Sequence, residues 1–351
     1  LWIKIMAYSS IAKPTDYFET KLWSGNATDD RAISGLDFAP DWVWIKNRTD
    51  TNSHAIFDTI RGATKYIESD TTDAEATGST FLKSFTSDGF TLGTAGRVNS
   101  SGNNYVGWSW SAGGTASSNT DGSITSTVSA NTTAGFSIVS YTGTGSTSTV
   151  GHGLGSTPKM IIIKDRDTGT HSWVVGHDSL AWTSYLLLND TDAKGTATTI
   201  WNDTAPTSSV FTLGTNVGMN GSGSSQIAYC FAEKTGYSKF GSYTGNGNAD
   251  GTFVYTGFKP ALVIIKETSD TGHWCMSDNK RDGYNPTKNI YADLSNIENT
   301  ANTVDHYSNG FKIRSTGGSV NTSGSNMIYM AFAENPFVGN DSGTAVPVTA
   351  R

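Results

Sequence analysis

Three times this chain writes a short apolar run between a proline and a lysine: Pro40-Asp-Trp-Val-Trp-Ile-Lys46, Pro158-Lys-Met-Ile-Ile-Ile-Lys164 and Pro260-Ala-Leu-Val-Ile-Ile-Lys266. The lysine stands six places after the proline in every copy. A motif that recurs at long, near-constant spacing restricts a chain to architectures built from copies of one unit. The run is apolar at nearly every place, the pattern of a strand covered on both faces.

Other landmarks recur in register. Before each proline come Trp23-Ser-Gly25, Tyr141-Thr-Gly143 and Tyr243-Thr-Gly245, each a strand running into a turn. After it come Gly89-Phe-Thr91, Val210-Phe-Thr212 and Gly310-Phe-Lys312. Then follow turns at Asn99, Asn220 and Asn321, at 59, 62 and 61 residues from their prolines. Each series ends on a strand of alternating large and small residues: Tyr105–Trp110, Gln226–Phe231 and Met327–Phe332. That alternation suits a strand whose two faces meet different neighbours.

With 39 glycines, 36% apolar and 16% charged residues, the composition favours short strands and tight turns. The expected fold is all-β, with three tandem antiparallel β-sandwich repeats. At about 100 residues each is large enough for its own core. The boundaries are an N-terminal lead-in at 1–15, repeats at 16–112, 134–235 and 236–337, a Gly/Ser/Thr-rich linker at 113–133 and a flexible tail at 338–351. The segments 66–76 and 291–301 read as strand and loop, because Asp, Asn and Thr oppose a long helix. Copies strung along one polypeptide predict a rigid rod.

Several functions are disfavoured. The net charge is −7 and no Lys/Arg cluster occurs, against a nucleic-acid groove. No apolar run approaches the roughly 18–20 residues of a membrane span. Cys230 and Cys275 fall in different repeats and read as buried structural thiols. Leu1–Ile5 lacks a signal-peptide layout, and Met6 resembles a natural start.

Asp58 and Arg61 recur as Asp278 and Arg281, at plus 18 and plus 21 from their prolines. They read as structural ion pairs pinning a loop. The second repeat keeps an acid as Asp178 and has Ala181 in place of the arginine. The six histidines complete no zinc spacing, so no metal and no cofactor are expected. Neither Gly-x-Ser-x-Gly nor His-Glu-x-x-His occurs, and no strand carries the alternating acids of sandwich glycosidases. The expectation is a non-enzyme. Trp182, Tyr185, Trp201 and Tyr284 lie in irregular segments, where an exposed ring makes a platform for a sugar or a partner.

Asp41–Arg48, His54, Asp58, Arg61-Gly62, Ser87–Gly93, Asn99 and Tyr105–Trp110 together resemble a repeated domain in virion proteins of tailed marine bacteriophages, cyanophages among them. The likeness extends from Met6 to Phe337, and the Ser-Asp-Gly-Phe and end-strand motifs are similar to concanavalin-like jelly rolls. The resemblance implies a virion protein, assembled in the host cytoplasm, with its own copies and other virion proteins as partners. It carries over no catalytic residue. The reading is a surface-displayed, tail-fibre-like or adhesin protein contacting host glycans, without membrane insertion. A capsid-decoration, tube or filament subunit and a polysaccharide depolymerase are the alternatives.

Overall fold

The computed structural model describes residues 9–336 apart from 284, 286, 287 and 302. The first eight residues and the tail expected at 338–351 lie outside them. Unit 1 contains β1 (Phe18–Ser24), β2 (Arg31–Ile33), β3 (Trp42–Asn47) and β4 (Ala55–Asp58). It continues with β5 (Lys65–Tyr66), β6 (Ala76–Thr77), β7 (Leu82–Thr86), β8 (Gly89–Leu92), the one-turn helix α1 (Gly96–Asn99) and β9 (Asn104–Trp110). One sheet has the order β1-β9-β3-β4 and the facing one β2-β8-β7.

Next come β10 (Ser117–Asn119), β11 (Ser126–Asn131), β12 (Phe136–Thr142), β13 (Ser148–Gly151), β14 (Met160–Asp165) and β15 (Val174–His177). Then follow β16 (Ser184–Leu187), β17 (Gly195–Thr196), α2 (Thr198–Trp201), β18 (Val210–Leu213), α3 (Val217–Asn220) and β19 (Ser225–Phe231). The large sheet runs β10-β11-β12-β19-β14-β15-β16-β17, and β13 pairs with β18.

Unit 3 holds β20 (Ser238–Thr244), β21 (Phe253–Tyr255), β22 (Phe258–Glu267), β23 (Cys275–Asp278) and β24 (Lys288–Tyr291). It ends with β25 (Asn299–Thr300), β26 (Val304–Tyr307), β27 (Gly310–Ile313) and β28 (Asn326–Pro336). Its sheets are β20-β28-β22-β23-β24-β25 and β21-β27-β26. The order of opening, closing, proline and following strand is the same in all three stretches. Each opening strand pairs antiparallel with its closing strand along its whole length.

The segment 113–133, expected as a linker, is not one. It forms β10 and β11, which extend the sheet of unit 2 by pairing on β12. Ile124 and Val128 enter that unit's core, and Ser126 donates to Gly151 O at 2.9 Å. The period-2 burial there is carried by Ile, Ser and Val among threonines, so polar composition masked a strand.

A buried asparagine bolts the same corner in each unit. Asn99 Nδ2 donates to Thr28 O and Gly93 O, Asn220 Nδ2 to Ser146 O and Gly214 O, and Asn321 Nδ2 to Asn248 O and Ser315 O. The aromatic of the opening strand ties down the turn before it: Trp23 Nε1 to Val98 O, Tyr141 OH to Met219 O, Tyr243 OH to Val320 O. Gly25 permits this approach, since a Cβ there would stand 1.9 Å from Ser100 O.

Each large sheet is buried on both faces, and the faces do different things. In the closing strands Ala228 and Cys230, or Ala331 and Ala333, turn small side chains towards their own facing sheet. Trp108 and Trp110, Tyr229 and Phe231, and Met330 and Phe332 turn the other way, into one core. The proline strands add Trp42, Trp44, Met160, Ile162, Leu262 and Ile264 to it. Trp42 lies 4.6 Å from the Tyr229 ring, and Phe332 lies 5.5 Å from Trp110 and 6.0 Å from Phe231. The units therefore sit side by side around a shared core, not end to end, which corrects the expected rod. Burying one wall of bulky side chains costs less exposure than three separate two-sided sandwiches would leave.

Unit 2 expressed alone with its two added strands (113–235) would bare Ile138, Met160, Ile162, Ile227, Tyr229 and Phe231. It is expected to aggregate or bind hydrophobic dye; a soluble, cooperatively unfolding monomer on sizing and urea titration would contradict the shared core. Asn220→Ala in the full chain strands two carbonyls and is expected to lose about 2–3 kcal/mol in urea unfolding.

Candidate functional site

The lysine that ends each proline strand lies at a seam between units. Lys46, Lys164 and Lys266 are all fully buried. Each Nζ donates to the next residue's carbonyl: Asn47 O at 2.8 Å, Asp165 O at 2.7 Å and Glu267 O at 2.7 Å. Each also crosses to a neighbouring unit: Lys46 to Ser295 O at 3.1 Å, Lys164 to Thr72 O at 3.0 Å, and Lys266 to Thr191 O at 3.0 Å and Asp192 O at 2.9 Å. Unit 1 thus grips unit 3, unit 2 grips unit 1, and unit 3 grips unit 2, a closed cycle. Burial lowers all three ammonium groups to about 8, with nearby acids working against the shift.

Two further bonds repeat around the cycle. The residue just before β4, β15 or β23 bonds a carbonyl across the same seam: His54 Nε2 to Tyr291 O, Trp173 Nε1 to Glu68 O and Trp274 Nε1 to Leu187 O. Two places after the lysine, Arg48 pairs with Glu298 at 2.5 Å and Arg166 with Glu75 at 2.8 Å. The third seam has Thr268 and Lys194 in those places and keeps only the backbone bond, Lys194 N to Thr268 O.

Asp58 and Arg61, and Asp278 and Arg281, form buried pairs at 2.5 Å. They brace the seams as well as their own loops. Tyr229 OH donates to Asp58 Oδ2 at 2.8 Å, and Trp108 Nε1 to Asp278 Oδ2 at 3.2 Å. Burial opposes the charge on Asp278, but the Arg281 guanidinium outweighs it and holds the carboxyl below its usual range. The register corrects the sequence correspondence in unit 2. Met160 faces His177, as Trp42 faces Asp58 and Leu262 faces Asp278. Asp178 instead makes a surface pair with Lys159 at 2.7 Å. His177 is neutral: burial lowers it to about 4, Nδ1 accepts from Ser179 N, and Nε2 donates to Tyr329 O.

The aromatic candidates separate. Trp182 and Trp201 are 6% and 1% exposed and meet edge to face at 5.2 Å inside the core of unit 2, so neither is a surface platform. Their segments look irregular in sequence because α2 carries Trp201 and a turn at 182–183 carries Trp182. Tyr185 is half-buried and lines a cleft of about 240 Å³ with His171, Val217 and Ile200. Tyr284 lies outside the described residues. A second cleft of about 300 Å³, in unit 3, is lined by Glu267, Asp270, His273 and Ser319. His273 Nδ1 and Asp293 Oδ2 lie 2.5 Å apart beside it. Among the described residues no group of three or more His, Cys, Asp or Glu gathers as metal ligands, and no helix is long and apolar enough to cross a membrane. Cys230 and Cys275 are free and buried, and burial raises both thiols, Cys275 to about 12.

Sequence reading did not assign the lysines to the seams. Their only signal was the fixed proline-to-lysine spacing, with a charge closing a run otherwise apolar. Their titration gives a pH test. Between pH 8 and 10.5 the unfolded chain keeps a proton that the folded lysine has lost, so stability rises with pH across that window. In urea unfolding at pH 7.5 and 9.5, wild type is expected to gain about 2 kcal/mol more than Lys164→Met. The cysteines act in the opposite sense but equally in both proteins. Equal pH slopes would contradict the lowering of the Lys164 ammonium by burial.

The comparison with curated proteins returned no match. A domain of unknown function, DUF7483, matches residues 13–336, from the lead-in through every strand to β28. With that match spanning the shared core, its three seams and both clefts, the chain belongs to the DUF7483 family.

Proposed function

We propose that this chain is a non-enzymatic structural protein of a bacteriophage particle, displayed on the surface as a tail-fibre-like or adhesin component that contacts host glycans. The three units are read as copies of one fold. The observation that carries the proposal is how the buried polar groups are used. The seam lysines, the Asp–Arg pairs and His54 and His177 are spent holding units together. Loops and edge strands are left to face outward on a rigid base, a division that suits attachment better than turnover. The motif resemblance to virion proteins of tailed phages supplies the setting. Because the central faces are covered within one chain, contacts with further copies or other virion proteins would use the outside.

A second reading, a capsid-decoration or other packing subunit, is favoured by one feature. The edge strand β21 exposes Phe253 (44%) and Tyr255 (57%), two residues apart and so on one face. Paired exposed rings suit a protein contact.

The purified chain is expected to bind host cells and to reduce phage adsorption in competition. Labelled antibody is expected to decorate intact virions. Decoration without cell binding or competition would favour the packing reading; no decoration would remove both. Reducing-sugar release from host envelope would establish a depolymerase instead.

A further inference from the structure

The cleft beside Tyr185 has a counterpart in unit 1, and there the chain fills it. The correspondence rests on hydrogen bonds and register. Trp23 bonds Val98 O where Tyr141 bonds Met219 O, so Arg97 stands where unit 2 has Gly218. Gly93 N donates to Phe81 O where Gly214 N donates to Ile200 O. Ile56 bridges Ile67 where Val175 pairs with Leu186, so Tyr66 matches Tyr185 and Glu68 matches Leu187. In unit 1 the Arg97 guanidinium lies over Tyr66 at 5.8 Å and Phe81 at 6.0 Å, and pairs with Glu68. In unit 2 the glycine withdraws that plug and leaves about 240 Å³ open. The Tyr ring, the apolar wall and the polar rim remain in place around it.

We propose that this cleft binds one neutral sugar ring, its apolar face stacked on Tyr185. Leu187 in place of Glu68 removes the carboxylate that pairs with Arg97 in unit 1 and makes that wall apolar. Ile200 and Val217 supply apolar walls, and Gly195 backs the Tyr185 ring, where a Cβ would come within 2.5 Å. The rim supplies hydrogen bonds for hydroxyls. His171 engages Asp165 and Thr168 through Nδ1, which leaves Nε2. Asn216 accepts from Gly218 N through Oδ1, which leaves the amide nitrogen. An aromatic face with a few polar groups at one edge matches a pyranose, which has an apolar face and a hydroxyl perimeter. This inference rests on the attachment reading and names a site for it.

The test titrates the full chain with neutral hexoses, 6-deoxyhexoses and N-acetylhexosamines, read by ligand-observed NMR and by the Tyr185 ring signals. At least one is expected to bind at about millimolar strength, in keeping with its dozen or so heavy atoms. Tyr185→Ala removes the platform. Gly218→Arg installs the plug of unit 1, its Cβ meeting Asn216 Oδ1 at 3.1 Å and His171 Cβ at 3.4 Å. Gly218→Arg is expected to melt near wild type and Tyr185→Ala, which also loses packing on the core, at a lower temperature, and both to bind at least about tenfold more weakly. No binding by any sugar, or binding that survives either substitution in a folded protein, overturns the site. Host cells report separately. Cell binding undiminished in both variants leaves attachment standing and shows that it does not run through the cleft. Sugar binding without cell binding leaves the cleft and removes attachment.

Discussion

Three ammonium groups buried between units set the terms for the rest of this structure. A lysine taken out of water is stable as a cation only if oxygen acceptors surround it. Lys46, Lys164 and Lys266 each find one acceptor in their own strand and at least one in the next unit. The acceptors are backbone carbonyls: one in the lysine's own strand, and at least one in a loop of the next unit. Each seam therefore ties a strand end of one unit to a loop of the next, and the three seams close a cycle. Removing any unit would strand both a cation and a set of carbonyls.

The shared core follows from the same arrangement. A proline strand held by its lysine at a seam turns alternate side chains inward and outward. One set meets the unit's own small sheet; the other meets the other two units. This is why bulky residues such as Trp110, Phe231 and Phe332 line up at matched places while Ser109, Cys230 and Ala331 alternate with them. The Arg–Glu pairs at two seams add partly exposed charge pairing, and the third seam does without, so they are supplements to the lysine clamp.

Much of the fold was legible in the sequence. Proline strands, closing strands and the turn asparagines were marked by spacing, and their all-β character by turn residues. The assembly was not. An apolar run covered on both faces reads the same whether its second cover comes from its own unit or from a neighbour, so Trp42 and Met160 gave no hint of a rod or a cluster. The strands at 117–131 hid behind serine and threonine, and Trp182 and Trp201 looked like loop residues because their segments carry no period. At the candidate site, Tyr185 was visible as an aromatic in an irregular stretch. What makes it distinctive, a glycine at 218 where unit 1 has Arg97, needed the register to be known first.

The central claim is that three units close around one core. Small-angle X-ray scattering at dilution, with the mass from forward intensity matching one chain, tests it most directly. A closed assembly of this length has a radius of gyration of about 20 Å, whereas three domains of about 13 Å each set end to end give roughly 30 Å. The account predicts the smaller value; the larger one, with the featureless tail of a rod in the distance distribution, would contradict it.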